Sequence, residues 1–408
     1  LITVEEATGP GRQAPDMRDP DALSGDGLEV ARFDRTLDIR WRRASYSSIT
    51  AVAHGDAATG YSRTLDLDRA AAVVRYTIDG TTYTRETFAS FPDDVVVVRL
   101  TASAAGKINF TAKLAYPPQM EGHGASVTID AGNTLVMKTK APANEGWDDR
   151  EGMTAESRVR ILPAGGTLTA DGKALTVKGA DSALLLFANF TSYNGFDKEP
   201  GTQGRDPHPL VTAALDKAAA KSYDDLLAAQ LADYRSLFRR LWVDINDEKP
   251  EPHVLGFQYA RYEMIASSRL GDRPHNQQGI WNSSWTPTSH SAHWLNENVE
   301  KYYGLIETAN LSETGEPLWN WINELSITGA QHAQVDWGFH GWLAGQCSDI
   351  WAKTSLASNN NEWASGPMGG VWLCNNLDVH HAFTLDKTFL RYRAYPILKG
   401  ACEFCLDL

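Results

Sequence analysis

Two rhythms divide the chain. As far as about residue 190, apolar residues alternate with polar ones or come in short runs, the signature of strands. The segments AAVVRYTID, TTYTRETFAS, DDVVVVRLTAS, INFTAKLAY, SVTIDA, NTLVMKTKA, ESRVRILPA, GTLTADGKALTVKGA and SALLLFANFTSY are rich in Val, Thr, Ile and Tyr. Turn pairs such as Asp79-Gly80, Ala131-Gly132 and Asp171-Gly172 separate them. At least nine strands with no helical pattern between them predict a large antiparallel β-sandwich. The first 60 residues are less regular, Asp/Gly/Pro-rich up to Gly27 and then compatible with two strands between Ala31 and Ile49.

A Gly/Pro/Asp-rich break at Asp197 to Pro209 ends this region. Beyond it, Leu and Ala recur at helical spacing from Pro209 to Arg240, with Ser222 placed as an N-cap and Asp224 and Asp225 in the first turn. From His253 the helical period continues, interrupted by long polar loops that carry Trp. The expected organisation is a sandwich over 1–195, a helical linker over 196–250 and helices over 251–408 arranged as pairs around a cup, with no short internal repeat. Three such parts agree with 408 residues at roughly 150 per domain.

Composition narrows the function. Lys+Arg 38 against Asp+Glu 51 gives a net charge of -13, which repels phosphate backbones and anionic lipid, so neither nucleic acid nor a membrane is expected as partner. No run approaches the ~18 apolar residues of a membrane span. The opening LITVEEATGPGRQAP has no basic n-region or apolar h-region and no initiator Met, as in a processed chain or a piece of one. All four cysteines follow Gln346; Cys402 and Cys405 lie on a predicted helix, where their spacing suits core packing or a disulfide better than zinc. No metal-ligand spacing, phosphate loop or G-x-S-x-G elbow occurs, so no cofactor is expected.

The surplus is in tryptophan, 13 residues, and many sit in the richest stretch and its sequel. Between Asn276 and Asn298 come Gln277, Gln278, Trp281, Asn282, Trp285, His290, His293, Trp294 and Asn296. Amides that donate and accept, beside indoles that stack on apolar ring faces, suit a neutral sugar; the alternative is a long loop satisfying its own backbone. Asn296-Glu297-Asn298 aims two amides the same way if extended and apart if helical. A second cluster holds His340, Trp342, Gln346, Asp349 and Trp351, and a turn at Gly366 to Gly370 leads into a helix bearing Trp372, Asn375, Asp378, His380 and His381. Asp378 and the histidines there are acid/base candidates, or else a solvated helix residue and a hydrogen-bonded core pair.

An ordered set of motifs carries a family likeness. HNQQGIWNSSW, then N-E-N with Tyr303, Glu307 and Asn310-Leu311-Ser312-Glu313, then Ser348-Asp349-Ile350-Trp351, PMGGVWL, AFTLDKTFL and YPILKGACEF together resemble glycoside hydrolase family 95, the α-L-fucosidases and related α-L-galactosidases. YSRTLDLDRAAAVVRYTIDGTTYTRETFAS is similar to the family's N-terminal sandwich, and LLAAQLADYRSLFRRLWVDI to its linker.

The resemblance implies an (α/α)6 toroid after the sandwich and a secreted or cell-surface hydrolase of fucosylated oligosaccharides. It also implies an inverting, cofactor-free mechanism, in which an Asn polarised by a late carboxylate positions the water and a helix-borne Glu protonates the leaving oxygen. The family's N-x-N falls on Asn296 and Asn298, its usual preceding His on Trp294 with His293 adjacent, and its acid on Val379, leaving Asp378 as the neighbouring carboxylate. Gln278, Trp281, His293, Trp294, Trp342, Asp349, Trp351, Trp372 and His380 are the expected pocket residues. Only 159 residues follow from Pro250, fewer than the 200 or so that twelve helices with loops require, so half a toroid is expected, with inner faces awaiting a further segment or a second chain. A silent carbohydrate-binding relative, or an assembly subunit, is the alternative function.

Overall fold

The computed structural model describes residues 58–116, 124–141, 152–245, 252–281, 291–354 and 366–408, and the backbone of strands over 36–41 and 45–51. Two compact units emerge. The first joins the strands to Glu199–Arg235, and the second holds Asn194–Lys198 and everything from Ser236.

The strands of the first unit are Thr36–Trp41 (β1), Ser45–Ala51 (β2), Thr59–Asp66 (β3), Ala71–Ile78 (β4), Thr81–Ser90 (β5), Val95–Ala102 (β6), Ile108–Ala115 (β7), Ser126–Asp130 (β8), Thr134–Lys140 (β9), Thr154–Ala164 (β10), Thr167–Asp171 (β11), Ala174–Ala180 (β12) and Ser182–Thr191 (β13). They form a five-stranded sheet in the order β1-β2-β7-β12-β11 and an eight-stranded sheet in the order β3-β4-β5-β6-β13-β10-β9-β8. Every pairing is antiparallel, as the turn chemistry predicts; Asp79-Gly80, both at positive φ, closes the tight hairpin between β4 and β5.

Alternation explains the core. Ile108, Phe110, Ala112 and Leu114 of β7 face Val96, Val98, Leu135, Met137, Val159, Ile161, Leu185 and Phe187 of the larger sheet. The unbroken valine run of β6 has another cause: both of its faces are covered. Val96 and Val98 enter the sandwich, while Val95 and Val97 join Leu186 and Ala188 beneath helix α1, His208–Ala219. Val211, Ala214, Leu215 and Ala218 supply the helix's apolar stripe at i, i+3, i+4 and i+7. Helix α2, Tyr223–Phe238, adds Leu226 to the same cluster. Its start is the predicted one, a reciprocal capping box in which Asp225 N–H donates to Ser222 Oγ at 3.1 Å and Ser222 N–H to Asp225 Oδ2 at 3.3 Å.

The second unit is built from helices α3 (Pro252–Ser267), α4 (Asn298–Tyr302), α5 (Glu316–His332), α6 (Gly369–Thr384) and α7 (Tyr395–Asp407), with a two-residue bridge of β14 (His293–Trp294) and β15 (Cys347–Ser348). Trp319, Trp321, Ile322 and Leu325 of α5, Leu373 and Leu377 of α6, and Ile397, Ala401 and Phe404 of α7 are buried. Arg261 of α3 is also fully buried. Its guanidinium donates to the carbonyls of Phe238 (2.7 Å), Leu241 (2.9 Å), Leu237 (3.1 Å) and Ala309 (3.3 Å), and to Gln258 Oε1 (3.1 Å), satisfying the end of α2. The cysteines correct an expectation. Ala401 and Phe404 take the inward face of α7, Cys402 and Cys405 are exposed, Cys374 is buried, and all four are free. Among the described residues, every exposed large apolar side chain except Phe91 lies at or beyond Trp242.

Candidate active site

The amide- and indole-rich stretch begins with a turn. Asn276 Oδ1 accepts from Gln278 N–H at 2.9 Å and its carbonyl from Gly279 N–H at 2.8 Å. Gly279 has φ +63°, and a Cβ there would sit 2.7 Å from the Trp281 ring, so glycine both makes the turn and lets the indole lie on it. Trp281 is left 43% exposed, an open stacking face. Gln278 Oε1 accepts from Ser291 Oγ at 2.8 Å. Asn282, Trp285 and His290 lie outside the described residues.

The bridge then sets the N-E-N motif. His293 pairs with Ser348 and Trp294 with Cys347, and Leu295 N–H donates to the Gln346 carbonyl at 2.8 Å. The backbone is extended at Glu297 and turns helical at Asn298, the first residue of α4. Asn296 is exposed and Asn298 half-buried. Glu297 is paired with Lys301. Burial raises the Tyr302 hydroxyl pKa, and its hydrogen bond with Asn298 offsets part of that rise.

Glu300, absent from the sequence-level candidates, lies behind the motif. It is 6% exposed, and neither carboxylate oxygen has a hydrogen-bond partner among the described residues. Desolvation, partly offset by the nearby backbone of Glu300 and Glu297, pushes its pKa up to about 7. Its carbonyl accepts from Asn376 Nδ2 of α6 at 3.4 Å. His275, another omission, packs between Tyr302 and Tyr303 at ring distances of 5.4 and 5.1 Å, and burial lowers it to about 4.

Several expected pocket residues turn inward. Trp342 is only 2% exposed, with Nε1 donating to the Ile397 carbonyl at 2.8 Å and its ring on Gly370 and Gly400; it is core, not cup lining. Asp349 is half-buried and has one carboxylate oxygen engaged: Oδ1 accepts from Trp351 N–H at 2.8 Å and Lys353 N–H at 3.3 Å, and its carbonyl from Trp321 Nε1 at 2.9 Å. His293 is buried against Trp321 at 4.8 Å, with Nε2 2.8 Å from the Pro274 carbonyl. His380 packs on Trp319 (3.9 Å) and Phe389 (4.4 Å), its Nδ1 2.6 Å from Glu307 Oε1, while Ser312 holds the other Glu307 oxygen. These contacts lock His380 in place, the hydrogen-bonded alternative for that histidine.

Trp372, Asp378 and Val379 share the opposite fate, all exposed on α6, and Trp294 and Trp351 are half-buried. The structure thus gathers Asn296, Asn298 and Glu300 where the bridge enters α4, and sets α4 against α6 through Asn376. His293, Trp321 and Asp349 form one supporting stack beneath the bridge. No group of three or more His, Cys, Asp or Glu placed to hold a metal occurs among the described residues.

The family model for the glycosyl hydrolase family 95 catalytic domain matches residues 222–408, and that for the glycosyl hydrolase family 65 N-terminal domain matches 44–195. The chain belongs to glycosyl hydrolase family 95. Alpha-L-fucosidase 2 of Arabidopsis thaliana is 34% identical over 386 residues, covering 85% of this chain and 45% of the plant protein. A relative from Aspergillus niger, named as an alpha-fucosidase A, is 30% identical over 381 residues, 85% of this chain and 46% of its own length. The family 95 chain therefore spans about half the length of these curated relatives. Among solved structures, one named as a kojibiose phosphorylase from human microbiome matches with TM-score 0.63 at 12% identity, over 91% of this chain and 52% of that one. That likeness concerns the fold alone, an antiparallel β domain followed by the helices of an (α/α)6 architecture, and it agrees with the expected fold class. Val379, the expected acid position by resemblance, is 42% exposed, and Asp378 beside it is exposed as well.

Proposed function

We propose that this family 95 chain carries the sandwich and the water-holding part of a glycosidase that removes terminal α-linked L-fucose, or L-galactose, from oligosaccharides with inversion. The observation that carries this reading is the N-E-N motif at the junction of β14 and α4, one amide exposed and the other half-buried on a supported backbone. An Asn side chain accepts from a water proton and steers its lone pair at the anomeric carbon, provided a carboxylate polarises the amide. The leaving oxygen takes a proton from the opposite side of the ring, which inverts the configuration. Trp281 and Trp372 offer exposed ring faces for sugar stacking. The exposed apolar side chains from Trp242 onward are, on this proposal, contact surface for further helices.

The test uses the full-length protein and 2'-fucosyllactose, with the anomer of the released sugar followed by proton NMR. β-L-Fucose as first product, with kcat/KM lowered about 1000-fold in Asn298→Ala at unchanged unfolding midpoint, is the expected result. Val379 favours a second reading, a carbohydrate-binding relative without hydrolysis. Fucose binding without any release of sugar would establish that reading instead.

A further inference from the structure

Glu300 is a buried ionisable group, next to the N-E-N motif, that the hydrolytic scheme above does not use. It sits two residues after Asn298 in a five-residue helix, so the two cannot move independently. Both oxygens are buried and find no side-chain partner among the described residues, leaving the backbone of Glu297 and Glu300 as the groups that favour the charged form, and the residue's carbonyl ties α4 to α6 through Asn376. The site suits a carboxylic acid better than a carboxylate, because the backbone of Glu297 and Glu300 does not make up for the hydration that burial strips from the charge.

We propose that Glu300 is a positioning residue of the hydrolytic site: as a buried carboxylic acid in the contact between α4 and α6 it keeps Asn298 in place, and as a carboxylate it draws α4 toward water and displaces Asn298. This rests on the reading of Asn298 as water holder. Among the described residues, the groups that face α4 supply no compensating cation; His275, packed between Tyr302 and Tyr303, is kept neutral by burial. From β14 comes His293, stacked on Trp321 and bonded to the Pro274 carbonyl; from the following turn comes Tyr303, bonded to Ser268 Oγ at 2.8 Å. From α6 come Asn376, bonded to the Glu300 carbonyl, and, one turn on, His380, bonded to Glu307. On α4 itself, Lys301 is engaged by Glu297.

With Glu300 titrating near 7, its neutral fraction falls about 30-fold between pH 6 and pH 8.5. In the full-length protein, kcat/KM for p-nitrophenyl α-L-fucoside should fall by about that factor along an alkaline limb centred near 7. Glu300→Gln, an uncharged isostere, should keep the pH 6 rate within about threefold and lose the limb. A variant that keeps the wild-type limb overturns the proposal. So does one that loses more than about 100-fold at pH 6, which would mean that the proton of Glu300 is itself consumed in the reaction. Hydrogen exchange of residues 298–302 provides a readout that needs no activity. Wild-type protection should drop at least tenfold more than that of Glu300→Gln between pH 6 and 8.5. If no fucoside is cleaved but this difference appears, the hydrolase reading fails and the Glu300 switch stands; equal protection in both proteins refutes the switch.

Discussion

Arg261→Met would remove the guanidinium that fills the junction between α2, α3 and Ala309. Five acceptors lose their donor: the carbonyls of Leu237, Phe238, Leu241 and Ala309, and Gln258 Oε1. Each buried acceptor left unmade costs about 1–3 kcal/mol, and bonds to a charged donor sit at the upper end. Methionine retains most of the apolar stem but none of the donors. Because the residues around Leu241 are partly exposed, water can reach part of the junction, and we take the loss at about 4–6 kcal/mol rather than the full sum. That is comparable to the whole stability of many domains. Urea unfolding followed by tryptophan fluorescence suits the question, because all indoles except Trp41 and Trp147 lie at or beyond Trp242. Arg261→Lys should fall between the two, since an ammonium supplies charge and three donors but not the planar fork. A loss below about 1 kcal/mol in Arg261→Met would refute the assignment of these bonds as the support of that junction.

Other outcomes are equally definite. Gly341 and Gly338 both have positive φ, but a Cβ at 341 would meet the Gly400 carbonyl at 1.9 Å whereas one at 338 meets nothing; Gly341→Ala should therefore lower stability by well over 2 kcal/mol and Gly338→Ala by about 1, read as urea midpoints. His275 is lowered to about 4, so between there and its ordinary value near 6.5 the unfolded chain binds the extra proton; stability should decline by about 3 kcal/mol as pH falls through that window, and the decline should be absent in His275→Phe. Val379→Glu, at the exposed position expected by resemblance to hold the acid, should change stability by less than about 0.5 kcal/mol and, on the proposed function, raise turnover of fucosides by the full-length protein at least tenfold, measured by released sugar.

Much of the fold was written in local patterns. Alternation in β7, the Asp79-Gly80 turn and the Ser222 capping box each involve neighbours in sequence, where side-chain direction follows from the period. The valine run of β6 announces a strand covered on both faces, but not that α1 supplies the cover. The site was less legible because burial, not residue type, decides a role. Trp342 and Trp372 are the same residue in similar company, yet one donates to the Ile397 carbonyl in the core and the other stays open on α6. Glu300 reads as an ordinary acid in a helix's first turn, and only the packing of α4 reveals that its carboxyl is deprived of water. Glu307 was visible as part of the family motif, but its pairing with His380, 73 residues away, was not.

The cover that α1 and α2 lay over Ala71, Phe88, Val95, Val97, Leu186 and Ala188 redraws the joint of this protein. A sandwich cut at the glycine- and proline-rich break after Thr191 would present these side chains to water as a sticky sheet face, whereas one cut after Arg235 would carry its own lid. Recombination or engineering that swaps the β part between proteins of this family should therefore succeed at the far end of α2, inside a helix, and fail at the glycine- and proline-rich loop before α1.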